Sequence, residues 1–127
     1  MRKVPSAPPL GDLQLAIMEI LWWTDGATLG EVRTALEKEH PVALTTVATV
    51  LSRLTTSGFI SCRKGPGART YVAAVSQREV QKAHVAKLID RLFGGRAADL
   101  ITHLVRESEI DNAEIDRLRK LLKKRRR

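Results

Sequence analysis

At 127 residues the chain has the length of one domain, or of a small domain with an appendage, and its 43% apolar and 28% charged content is that of a globular protein. Its single cysteine, Cys62, excludes an internal disulfide framework and a Cys-rich zinc site, and no apolar run reaches the ~18 residues that span a bilayer. The formal charge of +8, from 22 Lys and Arg against 14 Asp and Glu, points to a polyanionic partner, nucleic acid before an anionic membrane surface.

Residues 1–9, "MRKVPSAPP", lack the apolar core of a signal peptide and read as a flexible lead-in, so the protein is expected to stay in the cytoplasm. Leu13, Ala16, Ile17, Ile20 and Leu21 recur at helical spacing, which predicts a helix over about Leu13 to Trp23 with Asp12 as its N-cap. The turn signal "TDGA" follows. Thr28 and Glu31 then stand three apart as a capping box, opening a second helix whose inner stripe is Val32, Ala35 and Leu36. His40–Pro41 closes it.

A third helix carries Val47, Val50, Leu51 and Leu54 on one stripe and stops at Gly58. Its other face begins with Thr45, Thr46 and Thr49, β-branched residues that are mediocre helix formers. A merely solvated face would be better served by Glu, Lys or Ala. "FISCRK" and "RTYVAA" are short runs of β-formers joined by the turn "GPGA". Three short helices followed by a hairpin make a winged helix-turn-helix over residues 10–75.

In that fold the third helix enters the major groove by its N-terminal residues. Threonine there offers a hydroxyl that donates or accepts and a methyl that packs on thymine. Thr45, Thr46 and Thr49 are therefore the expected base readers, and Arg53, Arg63, Lys64 and Arg69 the expected phosphate contacts. Two readings compete: a winged helix that docks protein, and a non-specific architectural DNA binder.

Residues 76–127 read as three amphipathic helices. Ser76 and Glu79 form a second capping box, Val80, Ala83, Leu88, Ile89 and Leu92 the stripe behind it, and "FGG" a break. Leu100, Ile101, Leu104 and Val105 follow, and then Ile115, Leu118, Leu121 and Leu122 behind Asp111 and Glu114. Such stripes are hard to bury without a partner. A homodimer interface is expected at Leu88, Leu92, Leu100, Ile101, Leu104, Ile115, Leu118 and Leu122. The closing "KKRRR" suits a second phosphate grip, cations at a helix C-terminus, or a solvated end.

Cys62 shares the parity of Ile60, which places it on the inner side of the hairpin rather than as a redox switch. His103 and Glu107 stand at i and i+4, but a lone pair lacks the remaining ligands of a zinc site, so no metal and no cofactor are expected. No nucleophile elbow, P-loop or paired catalytic carboxylates occur, and the chain is read as a non-enzyme.

The chain resembles the penicillinase-repressor (BlaI/MecI) family of bacterial transcriptional repressors. The resemblance rests on "LGDLQLAIMEILW" (Leu10 to Trp22), "TLGEVRTALE" (Thr28 to Glu37), "TTVATVLSRLTTSGFI" (Thr45 to Ile60) and "RTYVAAVS" (Arg69 to Ser76), extended by "LIDRLFGG" and "EIDRLRKLLKK". It implies a homodimer that represses genes, often of β-lactamase or related stress functions, from an inverted-repeat operator. It also puts Thr45, Thr46 and Thr49 at the start of the recognition helix, Arg63 and Lys64 on the wing, and Trp22 in the core. Trp23 stands where relatives tend to be polar, which leaves both an exposed flank and an extra helix contact open. In well-known members a sensor protease cuts an Asn-Phe bond to relieve repression. The corresponding pair here is His103-Leu104, which departs from that pattern, and the CxC array of a copper-responsive branch is absent.

Overall fold

The computed structural model describes residues 9–107 and 109–125. Most of the expected lead-in, and Arg126 and Arg127 of the basic tail, lie outside them. The element order is α1 (Asp12–Trp22), α2 (Leu29–Leu36), α3 (Leu44–Thr56), β1 (Ile60–Arg63), β2 (Thr70–Ala73), α4 (Gln77–Phe93), α5 (Ala97–Arg106) and α6 (Asn112–Arg125). This is the mainly helical architecture with a small hairpin that the sequence predicts. The chain divides into two compact units, one ending at His84 and the other beginning at Val85.

The first unit is a winged helix-turn-helix. Its core gathers Ile17, Met18 and Leu21 from α1, Val32 and Leu36 from α2, and Val47, Leu51 and Leu54 from α3, with Phe59, Ile60, Val75 and Val80 closing it. Met18, absent from the expected stripe, is fully buried, while Leu13, Ala16 and Ile20 are half-buried. The inner face of α1 is thus centred one residue further along. Ala35 is exposed rather than inward. Trp22 packs on the core and its Nε1–H donates to the Val75 carbonyl at 2.9 Å, tying α1 to the strand exit.

The helix ends follow local chemistry. The N-cap of α1 is Gly11, not Asp12; the Gly11 N–H donates to Gln14 Oε1 at 2.9 Å, and glycine has no side chain to return the bond. The Thr28 box closes in both directions: Thr28 N–H donates to Glu31 Oε1 at 2.9 Å, and Glu31 N–H donates to Thr28 Oγ1 at 3.2 Å. Thr28→Ala is expected to cost about 1 kcal/mol of winged-unit stability, measurable by urea titration, because it leaves an amide of the first turn without its acceptor. Gly58, at φ +89°, ends α3 in a backbone conformation that a Cβ would strain.

The wing is antiparallel, with Ile60 opposite Ala73, Cys62 opposite Tyr71 and Arg63 opposite Thr70. Ala27 bridges to Tyr71 through paired backbone bonds of 3.0 and 2.8 Å, so the loop before α2 is anchored to the hairpin. Cys62 is half-buried on the side shared with Ile60.

α4 begins in the first unit. The Ser76 and Glu79 box opens it, Val80 joins the winged core, and the Leu10 N–H donates to His84 Nε2 at 2.9 Å. These two turns account for the difference between a division at His84 and the expected one at Val75. The helix ends at Gly94, where φ is +57° and the Gly95 N–H donates back to the Ile89 carbonyl at 3.0 Å. In α5 and α6 no described residue is buried.

Candidate nucleic-acid interface

The α3 helix buries Val47, Leu51 and Leu54 and leaves Thr45, Thr46, Thr49, Ser52, Arg53 and Thr56 exposed. The Thr49 hydroxyl donates to the Thr45 carbonyl at 3.0 Å. Among the described residues the hydroxyls of Thr45 and Thr46 make no hydrogen bond. The N-cap, Ala43, offers no capping side chain, and the first turn of α3 carries no acid. Its own carbonyl takes the amides of Thr46 and Val47, at 3.0 and 3.1 Å. The positive end of the helix dipole is therefore uncompensated by protein, which favours an anion there.

Arg53 is exposed two turns along from Thr46, and Arg63, Lys64 and Arg69 are exposed at the wing on either side of its tip. None of the four forms an ion pair among the described residues. The sequence explains why: from Pro41 to Val75 there is no Asp or Glu. From Pro9 to His40, in contrast, stand Asp12, Glu19, Asp25, Glu31, Glu37 and Glu39 against only Arg33 and Lys38. The winged unit is thus acidic from Pro9 to His40 and purely basic from Pro41 to Val75. Counting charge by segment rather than over the whole chain was the signal that reveals it. Ser52 and Thr56, on the stripe of Thr45 and Thr49, extend the short polar face beyond the three threonines read from sequence.

In the second unit Leu92 is 68% exposed, Ile101 55% and Leu122 61%, and Leu88 and Leu118 are also exposed, with Leu100, Leu104 and Ile115 half-buried. His103 is exposed within α5, its ring 6.0 Å from that of Phe93, and its carbonyl accepts the Glu107 N–H at 3.0 Å. The His103–Leu104 bond thus lies in hydrogen-bonded helix, not in an extended segment. No cluster of three or more His, Cys, Asp or Glu that could hold a metal occurs among the described residues. No described helix is long and apolar enough to cross a membrane.

Fold and surface define a winged helix-turn-helix protein with an appended helical unit. The chain belongs to the penicillinase repressor family, whose model matches residues 10–124. It is 35% identical to the transcriptional regulator BlaI of Mycobacterium tuberculosis over 119 residues, covering 89% of this chain and 82% of that protein. It is 23% identical to the penicillinase repressor of Staphylococcus aureus over 106 residues, 84% of each chain. Among solved structures, the DNA-binding domain of the repressor BlaI superposes with a TM-score of 0.51 at 24% identity, over 62% of this chain and 93% of that one. The monomeric form of Bacillus licheniformis BlaI in complex with the blaP half-operator gives 0.52, with the same identity and coverage.

Proposed function

We propose that this chain is a DNA-binding transcriptional repressor that acts as a homodimer on an inverted-repeat operator. The observation that carries the reading is the acid-free stretch from Pro41 to Val75, which holds an exposed threonine face and four unpaired cations in one winged unit. Thr45, Thr46 and Thr49 read base edges in the major groove. Arg53 and the wing residues Arg63, Lys64 and Arg69 hold phosphates and fix the register. Leu88 and Leu92 on α4, Leu100, Ile101 and Leu104 on α5, and Ile115, Leu118 and Leu122 on α6 are covered by a second copy, so the operator is two-fold symmetric with half-sites about 10–10.5 bp apart, or a multiple of that. Repression is by occupancy of a promoter in the cytoplasm and needs no catalysis. β-Lactamase and related stress genes are the first candidates for control, since relatives carry such names. Release by a protease at His103–Leu104 would require that turn of α5 to unwind first.

The test is selection of random duplex DNA by the purified protein at physiological salt, followed by sequencing. An enriched inverted repeat supports a dimeric reader. Bound DNA without enrichment identifies an architectural binder, and no bound DNA turns the search to protein partners. On the selected operator, Thr46→Ala and Thr49→Ala are expected to cost roughly 1–3 kcal/mol per lost base contact, read by fluorescence anisotropy against a scrambled duplex. Equal losses on both duplexes would remove these threonines from base reading.

A further inference from the structure

The acidic half of the winged unit carries a surface feature that DNA binding does not use. Trp23 is 80% exposed, the most exposed of the large apolar side chains described. It walls a groove of about 470 Å³ between α1 and α2, lined on its apolar side by Ile20, Ala35 and Leu36 and flanked by Glu19 and Glu39. Lys38 and His40 also border it. Neither Glu19 nor Glu39 has an ion-pair partner among the described residues. An indole face with two unpaired carboxylates over an apolar lining suits a cationic segment that also brings an aliphatic side chain.

The chain itself carries such a segment. On α6, Leu118 and Leu122 follow Ile115 at i+3 and i+7, whereas Leu121, 62% exposed, stands off that line. Arg117 is four residues before it, Lys124 and Arg125 three and four after, so all three border Leu121 on the helix surface. None of the three is ion-paired among the described residues. We propose that the basic end of α6 from another copy docks in the α1–α2 groove, with Leu121 against Ile20 and Ala35 and its cations on Trp23, Glu19 and Glu39. This contact joins unlike surfaces, so it adds copies beyond the dimer, in a ring where the rotation closes and in an open row where it does not. Being made of exposed charges, it weakens with salt.

Sedimentation velocity of the full chain tests this. At low salt the weight-average mass should rise above that of the basal dimer as concentration increases, and fall back at high salt. Glu19→Lys with Glu39→Lys should abolish the rise, and so should Lys124→Glu with Arg125→Glu; the four changes combined in one chain should restore it. Trp23→Ala should weaken it. All these positions are exposed, and circular dichroism melts check that each variant keeps its fold. A mass that stays at the basal species at every concentration overturns the proposal, as does a groove variant that assembles like the parent. Loss of DNA affinity in the α6 variant with assembly untouched also overturns it, making the tail a phosphate grip instead.

Discussion

Replacing Leu118 and Leu122 with Asp is expected to convert the proposed homodimer to monomers and to lower affinity for a complete inverted repeat by about 10²–10⁴-fold. Affinity for an isolated half-site should change by no more than about twofold. Leu118 and Leu122 are 41% and 61% exposed on α6, in a stretch where no described helical residue is buried, so a partner must cover them for the helix to gain by packing. A carboxylate on that face would be desolvated by the partner without a counter-ion, which opposes association. Once the subunits separate, the second half-site is no longer presented at high effective concentration, whereas the proposed base-reading surface, made wholly from the winged unit, is intact. Sedimentation gives the mass and anisotropy on full and half operators gives the two affinities. A variant that stays dimeric, or that loses half-site binding equally, would contradict this assignment.

The second large effect falls inside α3. Leu51 is fully buried among residues of α1, α2 and the wing, and Leu51→Ala should cost about 2–5 kcal/mol. A domain of this size holds only about 5–15 kcal/mol in total. At about 4–8 °C per kcal/mol, the melting temperature should drop by roughly 8–40 °C. Ser52→Ala, one position along and exposed, should stay within about 0.5 kcal/mol of the parent. Thermal melts followed by circular dichroism separate the two. Similar melts for both variants would mean that α3 is not held by its Val47, Leu51 and Leu54 stripe.

What the sequence made legible was chemistry closed within a few residues. The boxes at Thr28–Glu31, Ser76–Glu79 and Asp111–Glu114 all form, because each satisfies amides through partners three apart. The hairpin and its Gly-Pro tip follow from turn chemistry in the same way. The cap at Gly11 was missed because glycine brings no capping side chain, and Gln14 three residues on marks only half of a box. The Trp22 bond to the Val75 carbonyl spans 53 residues and could not be read from spacing. Nor could the allegiance of Val80, whose periodicity marks a buried face without saying which core receives it. The threonines of α3 were legible as candidates by their poor fit to a solvated helix. The exposure of Trp23 was not, since an indole at a helix end is compatible with both core and solvent.

The bond from the Thr49 hydroxyl to the Thr45 carbonyl has a consequence for the operator. With its hydrogen committed to the helix, Thr49 in its proposed role would meet a base only through lone pairs and a methyl group. In the major groove it can accept from the exocyclic amine of adenine or cytosine, or lie against the thymine methyl. Guanine, which presents only N7 and O6 there, offers it lone pair against lone pair. The position that Thr49 faces should therefore exclude guanine on the contacted strand, and the selected operators should show this as a missing letter rather than a preferred one.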